Sequence, residues 1–138
     1  MKKLRTAIIG SGFMGKVHAE AIRRLGNVEL AAIAVGPGID AGEVSRSFGV
    51  DRVSTDWEEI INDSTIDAVH VLTPNALHAP MSIAAMKAGR AVLCEKPVAT
   101  TSTEAAEMVK VAAETGVANA VNHNLRYYPV LQQIRQMI

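Results

Sequence analysis

The sequence predicts a doubly wound α/β domain built on a parallel sheet of about six strands. Short apolar runs rich in Val and Ile alternate with longer segments of helical period. The runs are apolar throughout, as strands buried on both faces are. Helices between such strands imply right-handed crossovers, and these make the sheet parallel.

Length and composition fit one globular domain. The chain has 138 residues, 49% of them hydrophobic and 20% charged, and its 14 basic residues balance its 14 acidic residues. This composition excludes a disordered chain, and zero net charge gives no electrostatic case for binding nucleic acid or an acidic membrane. No apolar run reaches the length of a membrane span, and glycines interrupt the apolar stretch that follows the basic N-terminus. We therefore expect a soluble, cytoplasmic protein.

Cysteine and histidine give no sign of a metal site. The lone cysteine, Cys94, excludes an intramolecular disulfide and any metal site built from several cysteines, and we expect it to be buried in a strand. His18, His70 and His123 lack the spacing of metal ligands. No metal is therefore predicted.

The first half of the chain contains three strands and three helices. The strands are predicted at residues 5–9, 28–35 and 52–54, and the helices at 13–25, 40–48 and 56–62. Apolar residues four apart give the first helix one apolar face, formed by Phe13, Val17, Ala21 and Leu25. Asp40 is the predicted start of the second helix, and Trp57 is expected to anchor the third.

The second half repeats the alternation. The strands are predicted at residues 66–72, 91–94 and 117–121, and the helices at 76–88, 101–115 and 127–138. Gly89 and Gly116 are typical helix-ending glycines. Thr101 and Glu104 have the spacing of a capping box.

The first strand is followed by a glycine pattern, Gly10-Ser11-Gly12-Phe13-Met14-Gly15. This G-x-G-x-x-G lies between a predicted strand and a predicted helix, which is the context of a dinucleotide-binding turn. Gly10 permits the tight turn, Gly12 allows the backbone to approach a pyrophosphate, and Gly15 allows the helix to pack against the strand. The alternative is a structural turn that needs glycine for its shape alone.

The end of the second strand leaves the choice of dinucleotide open. An acid that holds the adenosine ribose of NAD is expected there, but the chain continues Gly36-Pro37-Gly38. Asp40 comes late and is the predicted N-cap, and Arg46 lies a helix away. The small turn leaves room for a 2′-phosphate, which favours tolerance of NADP slightly.

Polar residues follow three later strands, at the edge of the sheet where ligands bind in such folds. The first segment is Thr73-Pro74-Asn75 with His78, the second is Glu95-Lys96-Pro97, and the third runs from Asn122 to Pro129. With the glycine pattern, these segments resemble the glucose–fructose oxidoreductase, inositol dehydrogenase and MocA family of NAD(P)-dependent oxidoreductases. The most diagnostic part is Gly89 to Pro97, and the resemblance spans nearly the whole chain.

The resemblance implies a Rossmann domain that binds NAD or NADP. Lys96 would be the catalytic residue beside the nicotinamide, the alternative being a solvated loop lysine. Glu95 would bond the cofactor ribose or pair with Lys96, and Pro97 would fix the backbone there. The isomer of the Lys96–Pro97 bond stays open.

Other residues have two interpretations each. Thr73, Pro74 and Asn75 would pass near the ribose and phosphates, and they also suit a turn with Asn75 as N-cap. His78 would contact the cofactor or pack inside the helix layer. Arg126 and Tyr127 would lie near the nicotinamide or anchor two domains.

Family members carry a second α/β domain that supplies most substrate contacts and usually mediates subunit assembly. We therefore expect residues 1–124 to be the cofactor domain and 125–138 to begin a connecting helix to an absent domain, which would expose Tyr128, Val130, Leu131 and Ile134. The parent would move a hydride between nicotinamide and an alcohol carbon of a sugar, cyclitol or related polyol, and it would assemble as a homo-oligomer. This chain would bind nucleotide without turnover. The alternatives are a non-enzymatic NAD(P)-binding sensor or partner-binding module and, less favoured, a domain for another Rossmann ligand.

Overall fold

The computed structural model describes residues 3–138, and these residues form the predicted parallel sheet. The strands are β1 Leu4–Ile9, β2 Val28–Ala34, β3 Val53–Ser54, β4 Ala68–Val71, β5 Ala91–Cys94 and β6 Asn119–Val121. Their order across the sheet is β3-β2-β1-β4-β5-β6, which is the order of the Rossmann fold. The predicted fold class is confirmed.

Six helices connect or follow the strands. They are α1 Phe13–Arg23, α2 Ala41–Phe48, α3 Trp57–Asn62, α4 His78–Lys87, α5 Ser102–Thr115 and α6 Pro129–Met137. Short 3₁₀ turns, Asn75–Leu77 and Asn124–Tyr127, precede α4 and α6, so both helices begin two residues later than predicted. Helix α6 begins at Pro129 because the ring of proline fixes a helical φ and its missing N–H costs nothing at a first position.

Two apolar layers cover the two faces of the sheet. Ile8 and Ile33 pack with Ile22 of α1 and Phe48 of α2 on one face. On the other face, α3, α4 and α5 contribute a second cluster that includes Ile60, Met81, Ala85, Met108 and Val111. Cys94 is 1% exposed within this second cluster and Trp57 packs against it, which confirms both predictions.

Helix α1 buries a different face from the predicted one. Its buried residues are Gly15, His18, Ala19 and Ile22, whereas Phe13 is 80% exposed and Val17 and Leu25 are also exposed. The reason is the position of Gly15, where the helix comes so close to the turn before it that this side must face the sheet. The regular spacing of apolar residues therefore marked the outer face of α1.

Side-chain caps start three helices, and the sequence predicts two of them, those of Asp40 and Thr101. Asp40 accepts hydrogen bonds from the N–H groups of Gly42 and Glu43, and Asp56 does the same for Glu58 and Glu59. Thr101 and Glu104 form the reciprocal capping box of α5. These caps fix where the helices begin and so where the preceding loops leave the sheet.

The last helix, α6, is almost wholly exposed. No residue of α6 is buried, and Tyr128, Val130, Leu131 and Ile134 are each at least 41% exposed. This confirms the predicted exposure of their apolar side chains. Across residues 3–138, no helix has the length and apolarity that crossing a membrane requires.

Candidate functional site

A large cleft lies at the carboxyl ends of β1, β2 and β4. The chain leaves β1 for β2 on one side and later returns to build β4 on the other, so the loops after these strands diverge. The cleft has a volume of about 790 Å³. Its lining includes the whole turn after β1, the residues after β2 and the residues after β4, namely Gly10–Met14, Val35–Pro37 and Leu72–Pro74.

We call residues 10–15 the glycine end of the site. Its three glycines differ in whether the surrounding backbone leaves room for a side chain. Gly10 has φ +113°, and a Cβ there would lie 2.6 Å from the Leu72 carbonyl oxygen. A Cβ on Gly15 would lie 2.5 Å from the Gly10 carbonyl oxygen. Both positions therefore require glycine because of the protein's own backbone.

Gly12 has no such requirement. Its φ of −70° and ψ of −163° are open to any residue, and a Cβ there would meet no protein atom within 4 Å. Because Gly12 lines the cleft, the space that it leaves open is space for a ligand. A turn that needed glycine only for its own shape would leave this position unexplained.

Helix α1 presents its N-terminus to the same cleft. Gly12 is its N-cap and provides no side-chain oxygen, and no acidic residue lies in the first turn. The first N–H groups of a helix lack partners within the helix and carry its positive dipole end. Phe13 and Met14 line the cleft, so this helix end is available to an anion.

The side of the cleft formed by the residues after β2 is apolar. The residues after β2 that line the cleft are Val35, Gly36, Pro37 and Ile39, without an acid among them. Asp40 is engaged as the N-cap of α2. Arg46 extends back along α2 to lie near Gly42 and does not line the cleft.

The turn after β4 contributes an unsatisfied hydroxyl. Thr73 lines the cleft, and its Oγ1 is buried without a hydrogen-bond partner among the described residues. Pro74 also lines the cleft. The interpretation of Asn75 as the N-cap of the following helix is wrong, because Asn75 lies within a 3₁₀ turn and makes no capping hydrogen bond. The chain enters a 3₁₀ turn instead, because Pro74 in extended conformation places its carbonyl to accept the N–H of Leu77.

His78 is buried beneath the cleft. It is 1% exposed, its Nε2 lies 2.8 Å from the Thr73 carbonyl oxygen and its Nδ1 lies 2.6 Å from that of Pro97. Both ring nitrogens are thus occupied by backbone carbonyls. The geometry favours the packing interpretation of His78, since it joins two loops and offers no surface to a ligand.

Residues 95–97, which we call the Lys96 end of the site, follow β5. Lys96 is exposed, and its peptide bond to Pro97 is cis. Glu95 is only 5% exposed and its carboxylate neither pairs with the Lys96 ammonium nor opens toward the cleft. Neither predicted role of the Glu95 side chain matches this placement.

The Glu95 carboxylate instead belongs to a buried polar cluster that the sequence did not reveal. Its Oε1 lies 2.5 Å from Asn122 Nδ2 and 3.2 Å from His18 Nε2, and its Oε2 accepts the Lys96 N–H at 3.0 Å. Behind it, His18 Nδ1 lies 2.9 Å from His70 Nδ1. We call His18, His70, Glu95 and Asn122 the histidine–glutamate cluster.

Burial and hydrogen bonding set the charges of this cluster. Burial raises the pKa of Glu95, but hydrogen bonds from Asn122, the Lys96 N–H and His18 outweigh it, so the pKa lies below its ordinary value. Burial, reinforced by His18, lowers the pKa of His70 to about 4. At neutral pH the cluster therefore holds a carboxylate and an uncharged His70.

Arg126 and Tyr127 lie apart from the cleft. Both are exposed in the 3₁₀ turn before α6, with the Arg126 guanidinium 5.8 Å from the centre of the Tyr127 ring. Arg126 lines a separate depression of about 460 Å³ with His123, Leu131 and Arg135. Among residues 3–138, no group of three or more His, Cys, Asp or Glu is placed to hold a metal ion.

The sheet order, the glycine turn at its switch point and the cleft define a dinucleotide-binding Rossmann domain. Residues 4–123 match the GFO_IDH_MocA family model, an oxidoreductase family with an NAD-binding Rossmann fold, and the chain belongs to that family. The resemblance seen in the sequence is confirmed.

Characterised relatives share both sequence and structure with the chain. It is 34% identical to levoglucosan dehydrogenase of Pseudarthrobacter phenanthrenivorans, over 100% of the chain and 37% of the relative. A levoglucosan dehydrogenase complex with NADH and levoglucosan aligns with TM-score 0.90 and 33% identity, over 98% of this chain and 40% of that one. Biliverdin reductase from Synechocystis, in complex with biliverdin and NADP+, aligns with TM-score 0.88 and 32% identity, over 96% of this chain and 42% of that one. The chain spans 37–43% of the length of the first relatives that it matches.

Proposed function

We propose that the chain binds a nicotinamide dinucleotide in the cleft, as the cofactor domain of an oxidoreductase. The observation that carries this proposal is the open space at Gly12, a glycine that the fold itself does not need. The cleft has the size and place for the ligand, and the helix end beside Gly12 suits a pyrophosphate. The orphaned Thr73 hydroxyl would gain a partner from a polar ligand.

The residues fit the dinucleotide in two parts. Ser11, Gly12, Phe13 and Met14 would hold the pyrophosphate through backbone N–H groups, so that no basic side chain is required. The apolar residues after β2 would take the adenosine, while Thr73 and Pro74 would lie along the middle of the cofactor. His78 would act indirectly, by joining the Thr73 and Pro97 loops.

We propose that NAD and NADP are both accepted. An acid after β2 would bind the ribose hydroxyls of NAD and repel the 2′-phosphate of NADP, and the cleft has none at that place. No arginine in the lining favours the phosphate either. The solved relatives include one complex with NADH and one with NADP+, in agreement with a family that uses both.

For the reaction, we propose hydride transfer between nicotinamide and an alcohol carbon of a sugar, cyclitol or related polyol. The bound nicotinamide supplies the hydride chemistry. Lys96 is exposed at the end of β5, where its ammonium can hydrogen-bond a substrate hydroxyl and steady the charge that develops on its oxygen. Levoglucosan dehydrogenase, the relative described above, bears a name that fits this substrate class.

We place the cofactor domain at residues 1–124 and a connecting segment at 125–138, with Arg126 and Tyr127 facing the substrate side. Support comes from α6, which buries no residue, and from the greater length of the relatives. The longer protein would act in the cytoplasm, where nicotinamide dinucleotides are plentiful, and as a homo-oligomer. The chain alone would bind cofactor without turnover, and measurable sugar or polyol oxidation by the purified chain would contradict this.

Calorimetric titration of the chain with NAD, NADH, NADP and NADPH tests the proposal. We expect binding of all four, and its loss in Gly12→Val, because the added side chain fills the space beside the helix end. Gly26→Val is the matched control, since Gly26 is also open and unstrained but lies in the turn beyond the other end of α1. Failure of the unaltered chain to bind any of the four would overturn the proposal.

A further inference from the structure

The histidine–glutamate cluster brings together residues from four separate elements. His18 belongs to α1 and His70 to β4, while Glu95 and Asn122 directly follow β5 and β6. His18 and Glu95 are 6% and 5% exposed. A polar group placed this deep needs hydrogen-bond partners, and each side chain here finds its partners within the cluster.

The direction of the hydrogen bonds follows from the charge on Glu95. Because the carboxylate only accepts, His18 donates its Nε2–H to it, and the Asn122 amide donates as well. His18 Nδ1 then faces His70 Nδ1, where one ring donates and the other accepts. The imidazole of His18 is thereby fixed from both sides.

The cluster connects the two ends of the site. Glu95 precedes Lys96 and accepts its backbone N–H, which holds the Lys96 backbone to the buried carboxylate. Through His18, the same carboxylate is bonded to α1, whose first turn forms the glycine end. The backbone that carries Lys96 is therefore held at a fixed place relative to the helix that faces the pyrophosphate.

We propose that His18, Glu95 and Asn122 are positioning residues that set the Lys96 end against α1 and so determine how the nicotinamide half of the cofactor binds. This inference rests on the proposed function. It assigns the cluster no contact with the cofactor. Its effect would pass through the backbone of residues 95–97.

A positioning role differs from a merely stabilising one in what it does to the two halves of the ligand. ADP-ribose contains the adenosine, the pyrophosphate and the terminal ribose but lacks nicotinamide, so it probes the glycine end without the nicotinamide contacts of the Lys96 end. NADH probes both ends. Loss of stability would weaken both ligands together, whereas loss of positioning would weaken NADH selectively.

The test is calorimetric titration of the full chain and its variants with NADH and ADP-ribose. In Asn122→Ala and His18→Leu we expect NADH binding to weaken roughly tenfold, the size of effect of one lost hydrogen bond to a charged group, with ADP-ribose binding unchanged. His18→Gln keeps a side-chain N–H for Glu95 and should retain more NADH affinity than His18→Leu. Asn119→Ala is the matched control, because Asn119 lies on β6, the strand that Asn122 directly follows, and its side chain bonds only to the Val117 carbonyl.

A second measurement needs no substitution. In the unaltered chain, the NMR signals of the His18 side-chain nitrogens should shift more on binding NADH than on binding ADP-ribose. Equal changes with both ligands, or equal weakening of both ligands in the variants, would overturn the positioning role. If the unaltered chain bound neither ligand, the proposed function would fall first, and this inference with it.

Discussion

The glycine end and the Lys96 end of the site are built by opposite means. At the glycine end, the backbone comes close to itself at Gly10 and Gly15 and leaves space at Gly12, so the absence of side chains shapes the surface. At the Lys96 end, buried side chains from distant elements hold one short turn through hydrogen bonds. The first end depends on local sterics, and the second depends on charge and burial.

The largest expected effect separates the glycines from one another. Gly15→Val should destabilise the chain by about 3–5 kcal/mol, because its side chain would collide with the Gly10 carbonyl. Urea denaturation followed by circular dichroism measures this. Gly12→Val should change stability by less than about 1 kcal/mol while abolishing cofactor binding. Equal destabilisation by both would show that the glycine end is structural throughout.

The histidine–glutamate cluster, which holds the Lys96 end, should make stability depend on pH, whereas residues 10–15 of the glycine end contain no side chain that titrates. The folded-state pKa of His70 is lowered to about 4 from an ordinary 6.5, so its contribution is complete above pH 6.5 and is lost as pH falls toward 4. The full effect is up to about 3 kcal/mol. His70 is faced by His18 from α1, while its neighbours on β1 and β5 are the apolar Ile8 and Leu93.

Urea denaturation at several pH values between 7 and 4 measures this loss. In His70→Asn, the free energy of unfolding should fall less steeply as the pH is lowered. Asp63 serves as an internal reference. Hydrogen bonds from Thr65 and Arg52 lower its pKa to about 2, so its contribution falls mainly below this window. An unchanged slope in His70→Asn would place the acid sensitivity elsewhere.

A smaller change should create cofactor preference at the apolar side of the cleft. Gly36→Asp places a carboxylate at the end of β2, where it can accept from ribose hydroxyls and repel a 2′-phosphate. We expect NAD to be favoured over NADP by roughly tenfold, about 1.4 kcal/mol. Titration with both dinucleotides tests this, with Gly36→Asn as the uncharged control. Equal affinities for both in Gly36→Asp would contradict the proposed adenosine placement.

The smallest effect concerns the orphaned hydroxyl. Thr73→Val should stabilise the ligand-free chain by up to about 1 kcal/mol, since it removes a buried polar atom that has no partner. Cofactor binding should weaken at the same time if the hydroxyl finds its partner in the ligand. Thermal denaturation with and without cofactor reports both changes, and a less stable ligand-free variant would disprove the first.

The sequence predicted the fold well because the fold depends on local patterns. Apolar runs and caps such as Asp40 and Thr101 marked most boundaries to within two residues. The glycine end was predictable for the same reason, as six consecutive residues contain it. The family resemblance then supplied Lys96, whose role stays a prediction.

The errors concern contacts across the chain. His18 and Glu95 are 77 positions apart, and Asn122 and His18 are 104 apart, so no spacing rule could connect them. The buried side of α1 was missed because close packing at Gly15 outweighs the apolar residues on the other face. The one available signal was a histidine three residues after Gly15, on the face that the glycine turns inward.

The strand order also bears on how the chain folds during synthesis. Strand β1 lies between β2 and β4, yet β4 leaves the ribosome roughly 40 residues after β2, a delay of ~2–8 s at about 5–20 residues per second. During that interval, the second edge of β1 has no strand to pair with, although it is already aligned by β2. The nascent chain thus carries an apolar, unpaired strand edge next to its own future ligand site. Chaperone capture or mispairing between neighbouring nascent chains would be concentrated in this interval.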